Sequence, residues 1–189
     1  MRRSNSSSSK INKESSSPRQ RVGAYALQCW KCLKWRYIPS KEQYEIIRHY
    51  ASVDHWVCNK ASAWRPNASC DDPPELSQDN NNNYLWIIDK PDIPRPPTSW
   101  ERLVSIRGKG TSRFADVYYI APSGKKLRST VEVQKYLEDN PQYTGAGVDI
   151  SQFSYQIPLP LHEGYVRKRR ASAAADRSGW NAKTKISSD

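Results

Sequence analysis

The sequence predicts an α+β chain built from two small ordered units between basic tails. Three observations carry this. All four cysteines fall between residues 29 and 70. The stretch DVYYIAPSGKKLRSTVEVQKYL, residues 116–137, reads as strand, turn, strand and helix. Two low-complexity segments, SQDNNNNY (77–84) and KPDIPRPP (90–97), separate the cysteine-bearing stretch from that unit. Prolines lack an N–H and have a fixed φ, so the second segment reads as a connector.

The chain has 189 residues and a formal net charge of +11. Its mean hydropathy of −0.87 argues against one large core. No run approaches the roughly 20 apolar residues that span a bilayer. The N-terminus lacks the apolar stretch of a secretory signal, and it is too poor in apolar side chains for an amphipathic transit helix. Residues 1–22 hold six Lys/Arg against one Glu, and residues 165–189 hold seven against two Asp. Both read as disordered basic tails. Between them the charge alternates, and residues 95–131 hold eight Lys/Arg against two acids. A folded segment with such a field attracts polyanions. The alternative is that charge runs only keep the chain soluble.

In the first unit the cysteines follow C-x2-C, then 25 residues, C, 11 residues, C: Cys29, Cys32, Cys58 and Cys70. A C-x2-C knuckle lets two thiolates share one metal. Without a secretory signal, four clustered cysteines point to zinc rather than to disulfides. A unit of this size has little core, and one tetrahedral Zn2+ would supply the missing stability. A redox C-x-x-C is a weaker reading because no βαβ pattern surrounds it. Four thiolates leave no open position for catalytic water, and His49 and His55 read as packing or surface residues. Trp56 is expected to pack against the zinc core.

In the second unit, residues 100–107 read as a strand, 108–115 as a Gly- and Lys-containing loop, and 116–120 as another strand. Alternation places Asp116, Tyr118 and Ile120 on one face and Val117 and Tyr119 on the other. Gly124 supplies any positive φ in the hairpin turn. Ser129-x-x-Glu132 reads as a capping box that opens a helix bearing Val133, Tyr136 and Leu137 on one side. That helix ends before Asn140-Pro141. Arg128 then stands where a strand meets a helix, and exposed arginines on neighbouring strands can pair bidentately with guanine O6 and N7. Asp116 is placed to hold one such arginine in a single rotamer.

LQCWKCLKWRYIP, HWVC and SCDDPPEL resemble a CW-type zinc finger over about 23–77. Many such fingers hold a methylated lysine of a histone tail in an aromatic cage. One wall of that cage falls on Trp35, and the other usual position is Ala26, with Tyr25 beside it. SW, IRG, DVYYIAPSGKKLRS, YL and DISQFSYQIP resemble the methyl-CpG-binding domain over about 94–164, leaving 78–93 as linker. The resemblance implies a small sheet packed on one helix, with two arginines bracketing a CpG step. These fall on Arg107 and Arg128, the orienting acid on Asp116, the tyrosine lining the methyl groups on Tyr118, and a phosphate or base contact on Ser129. Lys109, Lys125 and Lys126 are phosphate candidates. The loop RGKGTSRFA is one residue shorter than the family pattern.

Together the two resemblances imply a nuclear, chromatin-associated regulator of transcription that binds CpG-containing duplex DNA, methylated or not. The alternative is an adaptor that binds histone tails or other proteins, with a second unit that does not discriminate methylated DNA. VRKRR (166–170) would serve as a nuclear import signal. No membrane partner, small-molecule substrate or catalytic arrangement emerges: no Ser/His/acid or Cys/His set stands out, and no phosphate loop occurs. RNA binding lacks an evident stacking platform.

Overall fold

A computed structural model describes residues 19–77, 85–162 and 164–167 of the chain. The expected tails at 1–18 and 168–189, most of the import signal and the Asn-rich stretch lie outside the described residues.

The chain begins with a short strand, β1 (Gln20–Arg21). The cysteine-bearing unit follows as a hairpin of β2 (Tyr25–Gln28) and β3 (Trp35–Ile38), helix α1 (Lys41–His49) and a 3-10 turn (Cys58–Ala63). The hairpin register pairs Tyr25 with Ile38, Ala26 with Tyr37 and Gln28 with Trp35. Ser40 caps α1, its side chain accepting from Gln43 N at 3.1 Å. The sequence reading missed this helix. Its signals were present in the Ser cap, Glu42 in the first turn, and Tyr44 and Ile47 three apart.

The second unit contains β4 (Glu101–Ile106), β5 (Ala115–Ile120), β6 (Lys126–Leu127), α2 (Thr130–Asp139), a short α3 (Pro141–Gly145) and a 3-10 turn (Ile150–Gln152). The sheet is antiparallel, in the order β1-β4-β5-β6. Burial alternates along β5, with Ala115, Val117 and Tyr119 inward and Asp116, Tyr118 and Ile120 outward, as the period of two predicts. The inner face packs on Val133, Tyr136 and Leu137 of α2 and on Trp100, Phe114 and Phe153. Gly124 turns the β5–β6 hairpin at φ +82°. Pro141, at the first turn of α3, stops α2 where expected.

Two expected boundaries shift. Residues 20–22 do not belong to a tail: Gln20 pairs with Ile106, Arg21 with Ser105, and Val22 packs on the sheet core. Residues 85–93 are not a free linker either. Trp86, Ile87 and Ile93 are buried, Gly23 N donates to Leu85 O at 2.7 Å, and Ile88 bridges to Leu159. Four large apolar residues in succession, Leu85–Ile88, outweigh the surrounding prolines and polar groups.

This segment also joins the two units. Asp89, with a side chain 1% exposed, accepts from Arg48 Nη1 of α1 at 2.7 Å and from Tyr44 Oη at 3.1 Å. From the sheet side, Arg102 of β4 donates to it through Nη1 at 3.2 Å and Nη2 at 3.3 Å. Arg102 also donates from Nε to Ser154 O and from Nη2 to Gln156 O. Burial, then the neighbouring Asp89 charge, pushes the Tyr44 phenol well above its ordinary pKa. Lys41–Glu101 at 2.7 Å and Arg95–Glu42 at 2.8 Å close the rim of this junction.

Candidate metal centre and nucleic-acid interface

The β2–β3 turn carries Cys29 and Cys32, the 3-10 turn starts at Cys58, and Cys70 returns from the loop beyond it. Leu33 at φ +58° lets the knuckle close, with Leu33 N donating to Cys29 O at 2.9 Å. The four Sγ atoms lie within 4.8 Å of one another. Cys29–Cys70 and Cys32–Cys58 separations are 3.8 and 3.6 Å. A tetrahedron with metal–sulfur bonds of about 2.3 Å has sulfur–sulfur edges of about 3.8 Å, so the cage has zinc dimensions.

The donor chemistry agrees. Arg36 is 2% exposed, and its Nε donates to Cys58 Sγ at 3.2 Å. Its other nitrogens donate to the carbonyls of Ser69 and Asp72 at 3.0 Å and to that of Pro73. A buried guanidinium among carbonyls needs a nearby anion, and a four-thiolate zinc site carries surplus negative charge. Lys34 adds bonds to the carbonyls of Cys70 and Asp72. Nothing in KWR singled out Arg36 as this second layer. Trp56 is buried in the finger's core, as expected, while His49 and His55 stay outside the thiol set.

The structure separates the two residues expected to form a lysine cage. Directly opposed residues of an antiparallel pair share a face. Trp35 therefore lies on the face of Gln28, Ala26 and Tyr37, whereas Tyr25 lies on the opposite face with Ile38. Tyr25 packs on Tyr44, with ring centroids 5.1 Å apart. Trp35 instead meets Trp86, edge-on at 4.9 Å, over the buried Ala26. A groove of about 330 Å³ beside it is lined by Trp30, Trp35, His55 and Trp56 among others.

On the outer face of the sheet Arg107, Asp116, Tyr118 and Lys126 come together. Arg107 follows the last residue of β4 and donates from Nε to Asp116 Oδ2 at 2.8 Å and from Nη2 to Oδ1 at 2.7 Å. These paired bonds hold the Arg107 guanidinium above its ordinary pKa and fix its plane. The backbone of Arg107 is also anchored, its N donating to Phe114 O at 2.8 Å and its O accepting from Tyr165 Oη at 2.9 Å. Tyr118 lies two residues beyond Asp116 on the same face, with Lys126 Nζ 3.7 Å above its ring. Lys125 sits 5.3 Å from the Tyr136 ring, and Lys109 is exposed in the β4–β5 loop.

Arg128, with a side chain 77% exposed, has its own carboxylate. Glu132 accepts from Arg128 N at 2.9 Å and from its Nε at 2.7 Å. Ser129 Oγ accepts from Glu132 N at 3.2 Å. Only half of the expected capping box forms, because the Glu132 side chain reaches one residue further back, to Arg128. The backbone N–H of Arg128, then its guanidinium, holds the Glu132 carboxyl below the usual range. Glu132 as an orienting acid was missed, and its signal was the four-residue spacing from Arg128. Tyr118, Lys125, Lys126, Arg128, Glu132 and Tyr136 border an open groove of about 540 Å³.

A four-thiol cage of zinc dimensions and a sheet face with two carboxylate-held arginines define a zinc-finger protein with a second, arginine-bearing α+β unit. Comparisons with known proteins are specific. Residues 25–76 match the CW-type zinc finger family, and residues 86–169 match the methyl-CpG binding domain family. The chain is 57% identical over 150 residues to methyl-CpG-binding domain-containing protein 2 of Arabidopsis thaliana, covering 79% of this chain and 54% of that protein. It is 36% identical over 151 residues to methyl-CpG-binding domain-containing protein 4 of the same plant, covering 80% of this chain and 76% of the relative. Methyl-CpG-binding domain protein 2 of Mus musculus is 39% identical over 83 residues, which cover 41% of this chain and 18% of that protein. The chain thus spans about half the length of the first of these relatives. No solved structure matches it. The chain belongs to the methyl-CpG-binding-domain family, in the group that carries a CW-type zinc finger.

Proposed function

We propose that the chain is a nuclear DNA-binding protein that reads CpG steps through the outer face of its sheet and regulates transcription. The observation that carries this is the bidentate Arg107–Asp116 pair beside Tyr118, with Arg128 held by Glu132 at the neighbouring strand end. A guanidinium with Nε and one Nη satisfied by a carboxylate still has donors on its outer edge for guanine O6 and N7. Arg128, whose guanidinium is bound through Nε alone, has more of them free; the two arginines suit the two guanines of a CpG step, with Tyr118 beside them for the pyrimidine edges. Lys109, Lys125, Lys126 and Ser129 supply phosphate contacts around them. The finger holds one structural Zn2+ on Cys29, Cys32, Cys58 and Cys70, and its fixed docking makes it a second wall of the module.

The test is fluorescence anisotropy of the whole chain with a CpG duplex, unmethylated and symmetrically methylated, across a salt series. Wild type is expected to show a steep negative slope of log affinity against log salt. Arg107→Ala and Arg128→Ala should each weaken binding by about 1–3 kcal/mol and relax preference for the CpG step. Tighter binding to the methylated probe makes the chain a methylation reader, and equal binding makes it a CpG binder that ignores the mark. Binding unaffected by both substitutions overturns the proposed interface. An adaptor reading then gains support from the tryptophan-lined groove on the finger, which suits a peptide such as a histone tail.

A further inference from the structure

The outer face of the sheet gains a strand, because the residues that precede the finger return to the second unit's sheet. Gln20 stands opposite Ile106, and Arg21 opposite Ser105. Opposed residues share a face, so Arg21 joins the outer face of Ser105 and Asp116. Arg19, two residues back along an extended chain, reaches that same face at the end where Arg107 stands. Its Nη1 donates to Tyr118 Oη at 3.4 Å, across 99 residues of sequence.

Val22 and the β1–β4 pairing anchor the strand, but no core packing holds the Arg19 side chain where it stands. Both residues of β1 are exposed, and Arg19 itself is exposed. Among the described residues Arg19 has no carboxylate partner, whereas Arg107 and Arg128 each have one. Among the described residues, a single long bond to a phenol oxygen leaves most of its five N–H donors free. An arginine of this kind, beside the tyrosine that lines the proposed base step, presents an unneutralised charge where a DNA strand would pass.

We propose that Arg19 is a further DNA contact, binding a backbone phosphate next to the step faced by Tyr118, Arg107 and Arg128. The inference rests on the DNA-binding reading of the sheet face. It extends the interface to a residue outside both matched families' spans.

The experiment compares wild type, Arg19→Ala, Arg19→Lys, Arg128→Ala and Lys60→Ala as full chains, by anisotropy over a salt series. Lys60 pairs with Asp54 on the finger and serves as the control for loss of a positive charge elsewhere. One phosphate contact contributes a slope of about 0.9, which is about fivefold in affinity near 0.15 M salt. Arg19→Ala should therefore bind about fivefold more weakly on every duplex, with the slope reduced by about one. Arg19→Lys should restore the slope, Lys60→Ala should match wild type, and melting temperatures should not move. If Arg19→Ala matches wild type while Arg128→Ala binds weakly, the inference about Arg19 falls and the interface stands. If neither changes binding, the interface itself falls. If Arg19→Ala weakens binding and Arg19→Lys gives no rescue, Arg19 acts by orienting Tyr118 and the phosphate contact is overturned.

Discussion

The finger and the sheet unit reach stability by different routes. The sheet unit has an apolar core of Trp100, Val104, Ile106, Phe114, Tyr119, Leu127 and the α2 face, closed by edge-to-face aromatic contacts. The finger has a smaller buried core of Ile38, Tyr44, Trp56, Ala61 and two of its own thiols, with Ala26 and Leu76 in a second small cluster against Trp86. So few apolar groups do not offset the chain entropy of about 50 residues. The finger is therefore expected to need a metal on its four thiols to fold, and the sheet unit is not. Chelation, or Cys58→Ser, is the most severe way to test this contrast. Structural zinc in small fingers contributes on the order of 10 kcal/mol to folding. Tryptophan fluorescence and amide-exchange protection of residues 25–70 should collapse, while protection of β4, β5 and α2 persists. Protection of the finger that survives a strong chelator would show that the cage is not its source of stability.

Asp89 is where the contrast blurs, because both units lean on it. Its carboxylate balances Arg48 from the finger and Arg102 from the sheet, all three essentially buried. Removing the shared acid strands two buried guanidinium groups. Asp89→Ala should cost about 3–5 kcal/mol, since breaking a buried pair leaves charge uncompensated. The thermal melt should split from one transition into two, with the finger unfolding first. Asp89→Asn keeps hydrogen-bond acceptance through one oxygen and should cost less. A melt that remains single in Asp89→Ala would mean that the apolar contacts of Trp86, Ile87 and Ile93 join the units unaided.

The two arginines form a second comparison on a smaller scale. Arg107 is clamped by two bonds to the half-buried Asp116, whereas Arg128 is mostly exposed and held by Glu132 of the first turn of α2. Asp116→Asn should weaken CpG-duplex binding about tenfold, because a neutral amide cannot pair with both guanidinium nitrogens. Glu132→Gln should weaken it less than about threefold, as exposed pairs restrain little. Acid should release Arg128. The Glu132 carboxyl is held low in the fold, so its contribution is fully present above the unfolded value of about 4.3 and is lost as pH falls through the lower folded value. Equal losses for Asp116→Asn and Glu132→Gln would mean that exposure does not decide how firmly a reading arginine is held.

Legibility in the sequence followed distance along the chain. The cysteine set, the β5 alternation, the Gly124 turn and the Ser129 helix start were readable because each depends on residues within a few positions of one another or on a metal-ligand pattern. Tyr118 and Asp116 were placed on one face by period alone. What escaped were relations between distant segments. Arg36 reads as an ordinary strand arginine until the loop carrying Ser69, Asp72 and Pro73 folds over it. Asp89 reads as part of a polar linker until two arginines, 41 residues before it and 13 after, close on it. The lysine cage failed as an expectation for the same reason. Tyr25 is adjacent to Ala26 in sequence, but strand alternation turns it to the other side of the hairpin, and Trp86 covers the side that Trp35 occupies.

Ser129 allows the smallest and sharpest test, because two roles coincide on one hydroxyl. Its oxygen accepts from Glu132 N at 3.2 Å and so caps α2, and it stands beside Arg128 on the proposed DNA face. Ser129→Ala removes both roles and should cost about 1 kcal/mol of stability as a lost N-cap. Ser129→Asp separates them. Aspartate caps as well as serine, and its charge suits a helix N-terminus, so melting should stay at the wild-type value or rise slightly. The same charge opposes a DNA phosphate, so duplex affinity should fall below that of Ser129→Ala and the loss should shrink as salt is raised. If Ser129→Asp instead binds DNA like wild type, the hydroxyl is a cap alone. The DNA path must then pass on the Arg107 side of the groove and leave the start of α2 uncovered.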